Sequence, residues 1–330
     1  MRRALVLSSG GAKASWQVGA CEHLIAERRY WFDVIAGVSA GAVNGTTLAQ
    51  AHDANELEAE LEHLRSVWFG LRDSDVYRWR WRGALEMALG KRASLYDTSP
   101  LRRVLEEHID PPRVASSPIR LRIGYVDLLS GQYRTASNDH PALRDAVQAS
   151  CSLPLVFPPV PLENGQELGV DGAVRRSTPL SDALNALAEW PRSGDEPDEV
   201  WAVIPDPLGR IEPLGLIPEP PVHSWLGLAL YSFWRSTGDG FVEEIKRLEE
   251  TRVGSRPVRL RVLHPSEALR GGSLRFNPGK LRSWYEDGRR TAREVSSRPD
   301  PRAGETHIVR KGCARTAPLG WFGRSGSSPV

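Results

Sequence analysis

Residues 31–47 read Trp-Phe-Asp-Val-Ile-Ala-Gly-Val-Ser-Ala-Gly-Ala-Val-Asn-Gly-Thr-Thr. The apolar run Val34-Ile35-Ala36 predicts a short buried strand. Gly37-Val38-Ser39-Ala40-Gly41 follows, and the small residues from Ala42 to Thr47 predict a helix. Glycines two before and two after Ser39 suit a tight strand-to-helix crossing, where a Cβ would collide. Such a turn lifts the Ser39 hydroxyl above the strand ends. It also sets it at a helix N-terminus, where the dipole favours a developing negative charge. Ser39 is therefore the candidate nucleophile, with Gly37 and Gly41 supporting its turn. A G-x-S-x-G match also arises by chance in a chain with 30 glycines; the strand before and the helix after separate the two readings.

Working outward, residues 3–8 (RALVLS) read as a buried first strand, 9–14 as a glycine-rich turn and 15–29 as a helix with one apolar face. Strand, turn, helix, strand, turn, helix is the opening of a mainly parallel sheet covered by helices. If the two strands are neighbours, the turn at 9–14 and the Ser39 turn emerge at one edge. Backbone N–H groups near Gly10, Gly11 and Ala12 are then candidates to face an oxyanion. The turn matches neither G-x-G-x-x-G nor G-x-x-x-x-G-K-[ST], which argues against a nucleotide phosphate loop.

An activated serine also needs a base. Eight histidines are available (23, 52, 63, 108, 140, 223, 264 and 307). An α/β-hydrolase, however, places its serine turn after several strands and carries an HGGG-type stretch. One strand precedes the Ser39 segment here, and no such stretch exists. The alternative base is Asp171, which ends the strand 166–171 (QELGVD) and is followed by Gly172-Ala173. A carboxylate within about 2.6–3.2 Å of a hydroxyl can take its proton during attack. Asp-Gly is also a common turn pair, so both readings of Asp171 stand.

Other features frame these motifs. The 330 residues are 40% hydrophobic and 25% charged, with a net charge of +2, which implies no strong electrostatic partner and no nucleic acid. Cys21, Cys151 and Cys313 are far apart and odd in number, so they suggest neither a disulfide framework nor a metal pattern, and no cofactor is expected. No signal-type apolar run follows Met1, and no stretch of 18 or more apolar residues occurs. A cytoplasmic protein, soluble or peripheral at a membrane surface, is expected. Helices are predicted near 53–69, 99–108, 143–150, 179–190, 236–251 and 278–296, with strands at 119–127, 132–136, 200–204 and 257–263. Residues 70–95, rich in Trp and Arg, read as an irregular flap, and the apolar stretch 222–234 as a core helix or part of an acyl pocket. From about 298 onward Pro, Gly, Ser and Arg predict a loose tail.

Ser9-Gly10-Gly11-Ala12-Lys13-Ala14, Gly37-Val38-Ser39-Ala40-Gly41 and Asp171-Gly172-Ala173, in that order and spacing, resemble the patatin-like phospholipases. Leu95-Tyr96-Asp97-Thr98-Ser99-Pro100-Leu101 and the stretch from Ala149 through Val160 match in style. The resemblance covers about residues 3–205 and extends more weakly to about 296. It implies a three-layer α/β/α fold with a central, mainly parallel sheet, a catalytic domain over 1–297 and a tail over 298–330. It further implies a Ser39–Asp171 dyad without histidine, an oxyanion hole of Gly10, Gly11 and Ala12 N–H groups, and Gly172 as a supporting residue. The implied activity is hydrolysis of carboxylic esters in phospholipids or related acyl lipids through an acyl-enzyme, without a metal. A general esterase or thioesterase and an inactive lipid- or partner-binding module are the alternatives. Ser9 and Ala14 depart from the family pattern, which has glycine at both ends of the loop, and Ala14 matters most if that site needs positive φ.

Overall fold

Arg3–Leu7 (β1) and Val34–Val38 (β2) are apolar along their length because both of their faces are covered. Leu5, Leu7 and Ile35 enter one apolar layer; Ala4, Val6, Val34 and Ala36 enter the other. The computed structural model describes residues 1–79, 94–190, 197–206, 258–297, 305–310 and 313–318. The apolar stretch 222–234, the helix expected at 236–251 and most of the Trp/Arg-rich stretch lie outside the described residues.

After β1 a 3₁₀ turn, Gly11–Ala14, leads into α1 (Ser15–Cys21), which widens to a π-helical turn over Glu22–Glu27. After β2 comes α2 (Ala40–Leu48), then α3 (Ala54–Gly70). The Asp53 side chain caps α3 by accepting from the N–H groups of Asn55 and Glu56, and Leu57, Leu61, Leu64 and Trp68 form its buried stripe. The described start of the stretch expected to be irregular (70–95) holds a one-turn helix, Asp73–Val76, and a short strand, β3 (Arg78–Trp79), which pairs with β4 (Tyr96–Asp97) beyond it. Next follow α4 (Ser99–His108), β5 (Arg120–Asp127), β6 (Tyr133–Ala136), α5 (Leu143–Ser150), β7 (Val160–Leu162), β8 (Glu167–Asp171) and α6 (Leu180–Ala188). β9 (Asp198–Val203), β10 (Val258–Leu263) and α7 (Pro278–Ser296) complete the body.

The sheet runs β12-β11-β10-β9-β1-β2-β5-β8-β7, with β6 also on β5. Here β11 is Glu305–Arg310 and β12 is Cys313–Pro318; a loose tail was expected there, and instead these strands extend the sheet beyond β10. β10, β9, β1, β2 and β5 are parallel neighbours, whereas β8 runs antiparallel to β5. One face of the sheet packs on α1, α2, α3 and α7, the other on α6. This is the expected α/β/α arrangement. Because β1 and β2 are adjacent and parallel, Ala4 opposite Val34 through Leu7 opposite Gly37, the turns that follow them share one edge.

Candidate active site

β2 ends at Val38 and α2 begins at Ala40, so Ser39 alone makes the turn. Its backbone sits at φ 57°, ψ −130°, a region that glycine enters freely and other residues enter at roughly 1–3 kcal/mol. Neighbours hold it there. The Ser39 N–H donates to Ser150 Oγ at 2.8 Å, and the Ser150 hydroxyl donates to the Gly124 carbonyl at 2.6 Å. The Ser39 carbonyl accepts from the Ala42 N–H at 2.8 Å. A Cβ on Gly41 would lie 2.5 Å from the Ser8 carbonyl oxygen and nearer still to that of Leu7, so only glycine lets α2 begin this close to the end of β1.

Asp171 reaches the same point from β8, where it stands opposite Tyr125 of β5. It is 3% exposed, and Ser39 is 9% exposed. The Ser39 hydroxyl lies beside the Asp171 carboxyl, whose Oδ1 accepts from the Ala173 N–H at 2.8 Å. Burial pushes this carboxyl up to about 7, against the smaller opposing pull of the Ala173 N–H and the Ser39 hydroxyl. Among the described residues no histidine shares in this contact. Cys151 lies nearby, but burial and the neighbouring Asp171 push its thiol well above the usual range, so it stays protonated.

The glycine-rich turn after β1 lines the same cavity with Ser9, Gly10 and Gly11. Gly11 has φ +54°, and a Cβ there would collide with the Ser273 carbonyl. Among the described residues the N–H groups of Gly10 and Gly11 carry no hydrogen bond. Ala12 is a correction to the expected trio: its N–H donates to the Ser273 carbonyl at 2.7 Å and is not available to a ligand. The departures at Ser9 and Ala14 fall on ordinary backbone. Neither has positive φ, and Ala14 sits at φ −66°, ψ −8° inside the helical turn. Lys13 is buried, and its ammonium donates to Asp206 at 2.8 Å, tying the turn to the segment after β9.

A buried chain of amides links these parts. The Trp68 indole N–H donates to Asn44 Oδ1 at 2.8 Å, Asn44 Nδ2 donates to Gln17 Oε1 at 3.0 Å, and Gln17 Nε2 donates to the Ser8 carbonyl at 2.7 Å. Each member is paired, so the chain stiffens α1, α2 and α3 against the two turns without leaving an orphaned polar group. The roles of Ser150, Ser273 and Gln17 carried no signal specific enough to single them out from the sequence, although Ser150 lies in the 149–160 stretch already noted.

Ser39 and Asp171 line one cavity. Its walls are mostly aliphatic and aromatic, with Leu64, Trp68, Leu105, Leu153 and Phe157 among them. A hydroxyl next to a buried carboxyl, beside unengaged N–H groups and an apolar cavity, has the parts that acyl transfer needs. Among the described residues no three His, Cys, Asp or Glu side chains converge as a metal would require, and no helix is long and apolar enough to cross a membrane.

No curated protein sequence matches the chain significantly. Among solved structures it is similar to VipD from Legionella pneumophila, at 13% identity and a TM-score of 0.42, over 89% of this chain and 66% of that one. It is also similar to the type III effector protein ExoU, at 14% identity and a TM-score of 0.32, over 89% of this chain and 52% of that one. The chain thus spans less than two thirds of either protein. The family model described as patatin-like phospholipase matches residues 5–184, more than half of the 330 residues, and the chain belongs to that family.

Proposed function

We propose that this protein hydrolyses carboxylic ester bonds of acyl lipids, phospholipids included, with Ser39 as nucleophile and Asp171 as base. Ser39 Oγ attacks the ester carbonyl carbon as its proton passes to the Asp171 carboxylate. The oxygen that gains charge lies against the N–H groups of Gly10 and Gly11, in the turn after β1, and near the N-terminal end of α2. Collapse expels the alcohol, which leaves with the proton from Asp171, and the acyl group stays on Ser39 as an ester. Asp171 then takes a proton from water, the hydroxide oxygen attacks the acyl-enzyme, and Ser39 recovers its proton as the acid departs. The catalytic unit in this reading is residues 1–297.

The observation that carries the reading is that the buried Ser39 hydroxyl and the buried Asp171 carboxyl, which burial pushes up to about 7, stand side by side at the wall of one apolar cavity. A base held near the working pH is half ionised there and still accepts a proton readily. Ser9 and Ala14 have no positive φ, which supports this reading over the inactive module. Labelling with a fluorophosphonate probe is the test. Wild type should label and Ser39→Ala should not; a folded wild type that fails to label removes the reading. Turnover of one ester as monomers and as vesicles separates a lipid hydrolase from an esterase of soluble acyl donors.

A further inference from the structure

The residues that line the cavity form two groups, and one of them runs along α2. The first group includes Leu153 and Phe157; the Phe157 ring lies 6.2 Å from that of Tyr96, which meets Trp79 edge to face at 5.3 Å. Trp79 is 59% exposed, so the ring series that starts at Phe157 ends at the surface. The second group, the α2 arm, follows α2 from Ser39, past Val43, to Thr47. α3 covers it with Leu64 and Val67, and α4 covers it with Val104 and Leu105. At its end His63 of α3 meets His108 of α4, with Nε2 and Nδ1 3.2 Å apart. The amide of Gln50, just past α2, donates to the His108 carbonyl at 3.2 Å and fixes that end against α2.

We infer that the α2 arm is the acyl-chain subsite and that the His63–His108 contact limits acyl length. The inference rests on the hydrolase reading for the identity of the substrate. Thr47 is eight residues along from Ser39, which at about 1.5 Å per residue makes the arm about 12 Å deep, the span of an extended chain of about ten carbons. Within that depth each methylene leaves water for an aliphatic wall, worth about fourfold in affinity or kcat/KM per carbon. Beyond it the chain has to push apart the contacting imidazoles and emerge beside His63, an exposed residue. The gain per carbon therefore stops at about ten carbons. The alcohol portion of the substrate takes the side of Leu153 and Phe157, from which the ring series leads to the surface.

The test is kcat/KM on p-nitrophenyl esters of two to sixteen carbons for wild type, Val104→Phe and the double variant His63→Ala/His108→Ala. Wild type should climb to about ten carbons and then level or fall. Val104→Phe, which fills the arm midway, should cut the decanoate-to-acetate ratio at least tenfold. The double histidine variant should move the break to longer chains. Both profiles matching wild type, with activity intact, would overturn the subsite while leaving the hydrolase reading in place. A second measurement does not depend on turnover: displacement of a fluorescent fatty acid from Ser39→Ala by carboxylates of six to sixteen carbons. Affinity that rises and breaks at about ten carbons, and shifts in the histidine variant, supports the subsite even if wild type proves not to hydrolyse esters. Affinity independent of length, or none, overturns it.

Discussion

Asp127 and Asp171 end neighbouring strands of one sheet, β5 and β8, and each is 3% exposed. Burial pushes both carboxyls upward, yet they settle at opposite ends of the scale. Around Asp127 burial is outweighed by the Ser130 hydroxyl at 2.6 Å and by the N–H groups of Leu168, Leu129 and Ser130, each at 3.1 Å, and the group is held at about 2. Asp171 has the Ala173 N–H and the Ser39 hydroxyl, which do not offset its burial, and it sits at about 7. Asp127 is covered by its own turn at the rim of the sheet, where its donors are close-packed; Asp171 lies beneath the cavity. Concealment alone does not decide charge; the number of donors aimed at the carboxylate does. The first arrangement makes a permanent anion that fastens β8 to the turn after β5. The second leaves a carboxyl that can still change its protonation state.

Substituting both residues by the isosteric amide should break the symmetry in opposite directions. Asp171→Asn cannot take the Ser39 proton, and ester turnover should fall by about 10³-fold or more. Asp127→Asn should stay within a few fold of wild type, and an equal loss in both would mean that Asp171 acts only as a structural carboxylate. In wild type, kcat/KM should rise with pH through about 7 as Asp171 ionises. A limb near pH 4 instead would show that the carboxyl is not desolvated as the geometry implies.

Stability should move the other way. The ordinary value for Asp171 is 3.8 and its value here is about 7, so folding favours its neutral form. Its stabilising contribution is fully present below about 3.8 and is lost as pH rises past about 7. At about 1.4 kcal/mol per pH unit, keeping the ionised carboxylate buried costs on the order of 4 kcal/mol at pH 8, and less than half of that at pH 5. Asp171→Asn removes this cost, and denaturant unfolding should show the inactive variant more stable than wild type at pH 8, with the gap shrinking at pH 5. Asp127 has the opposite sign. Its value is depressed, so its stabilisation is present above 3.8 and lost as pH falls through about 2. Asp127→Asn should lose about 2 kcal/mol at neutral pH, the worth of hydrogen bonds to a charged acceptor.

The sequence carried the frame of this comparison better than its details. Continuous apolar runs in β1 and β2 announced strands buried on both faces, and the glycines at 37 and 41 announced the turn that Ser39 makes. Asp171 was legible through the Gly172-Ala173 that follows it. The donors that set its charge apart from Asp127 were not, because both residues read alike, as acids closing a strand. Ala12 was misplaced as an oxyanion donor since its partner, the Ser273 carbonyl, lies far along the chain in a loop without periodicity. His63 and His108 fall on two ordinary amphipathic helices, and only the packing of those helices brings them together. β11 was hidden by composition. Glu305–Arg310 contains a usable strand, but Pro, Gly, Ser and Arg around it dominate any average over the tail.

The smallest effect sharpens the comparison at the proposed nucleophile, Ser39. Asp171 stores its functional tension as desolvation, and Ser39 stores its own as backbone strain, at φ 57°, ψ −130°. At an ordinary helical position alanine is more stable than glycine by about 1 kcal/mol, since glycine loses more freedom on folding. At residue 39 the left-handed penalty of roughly 1–3 kcal/mol falls on alanine and spares glycine. Both Ser39→Ala and Ser39→Gly lose the hydroxyl beside Asp171, so that loss cancels between them. Ser39→Gly should therefore be more stable than Ser39→Ala by about 1 kcal/mol in denaturant unfolding. Ala42→Gly, one turn into α2, should show the ordinary sign. If Ser39→Ala proves the more stable of the pair, the turn is relaxed, and the tension at this site lies in the buried carboxyl alone.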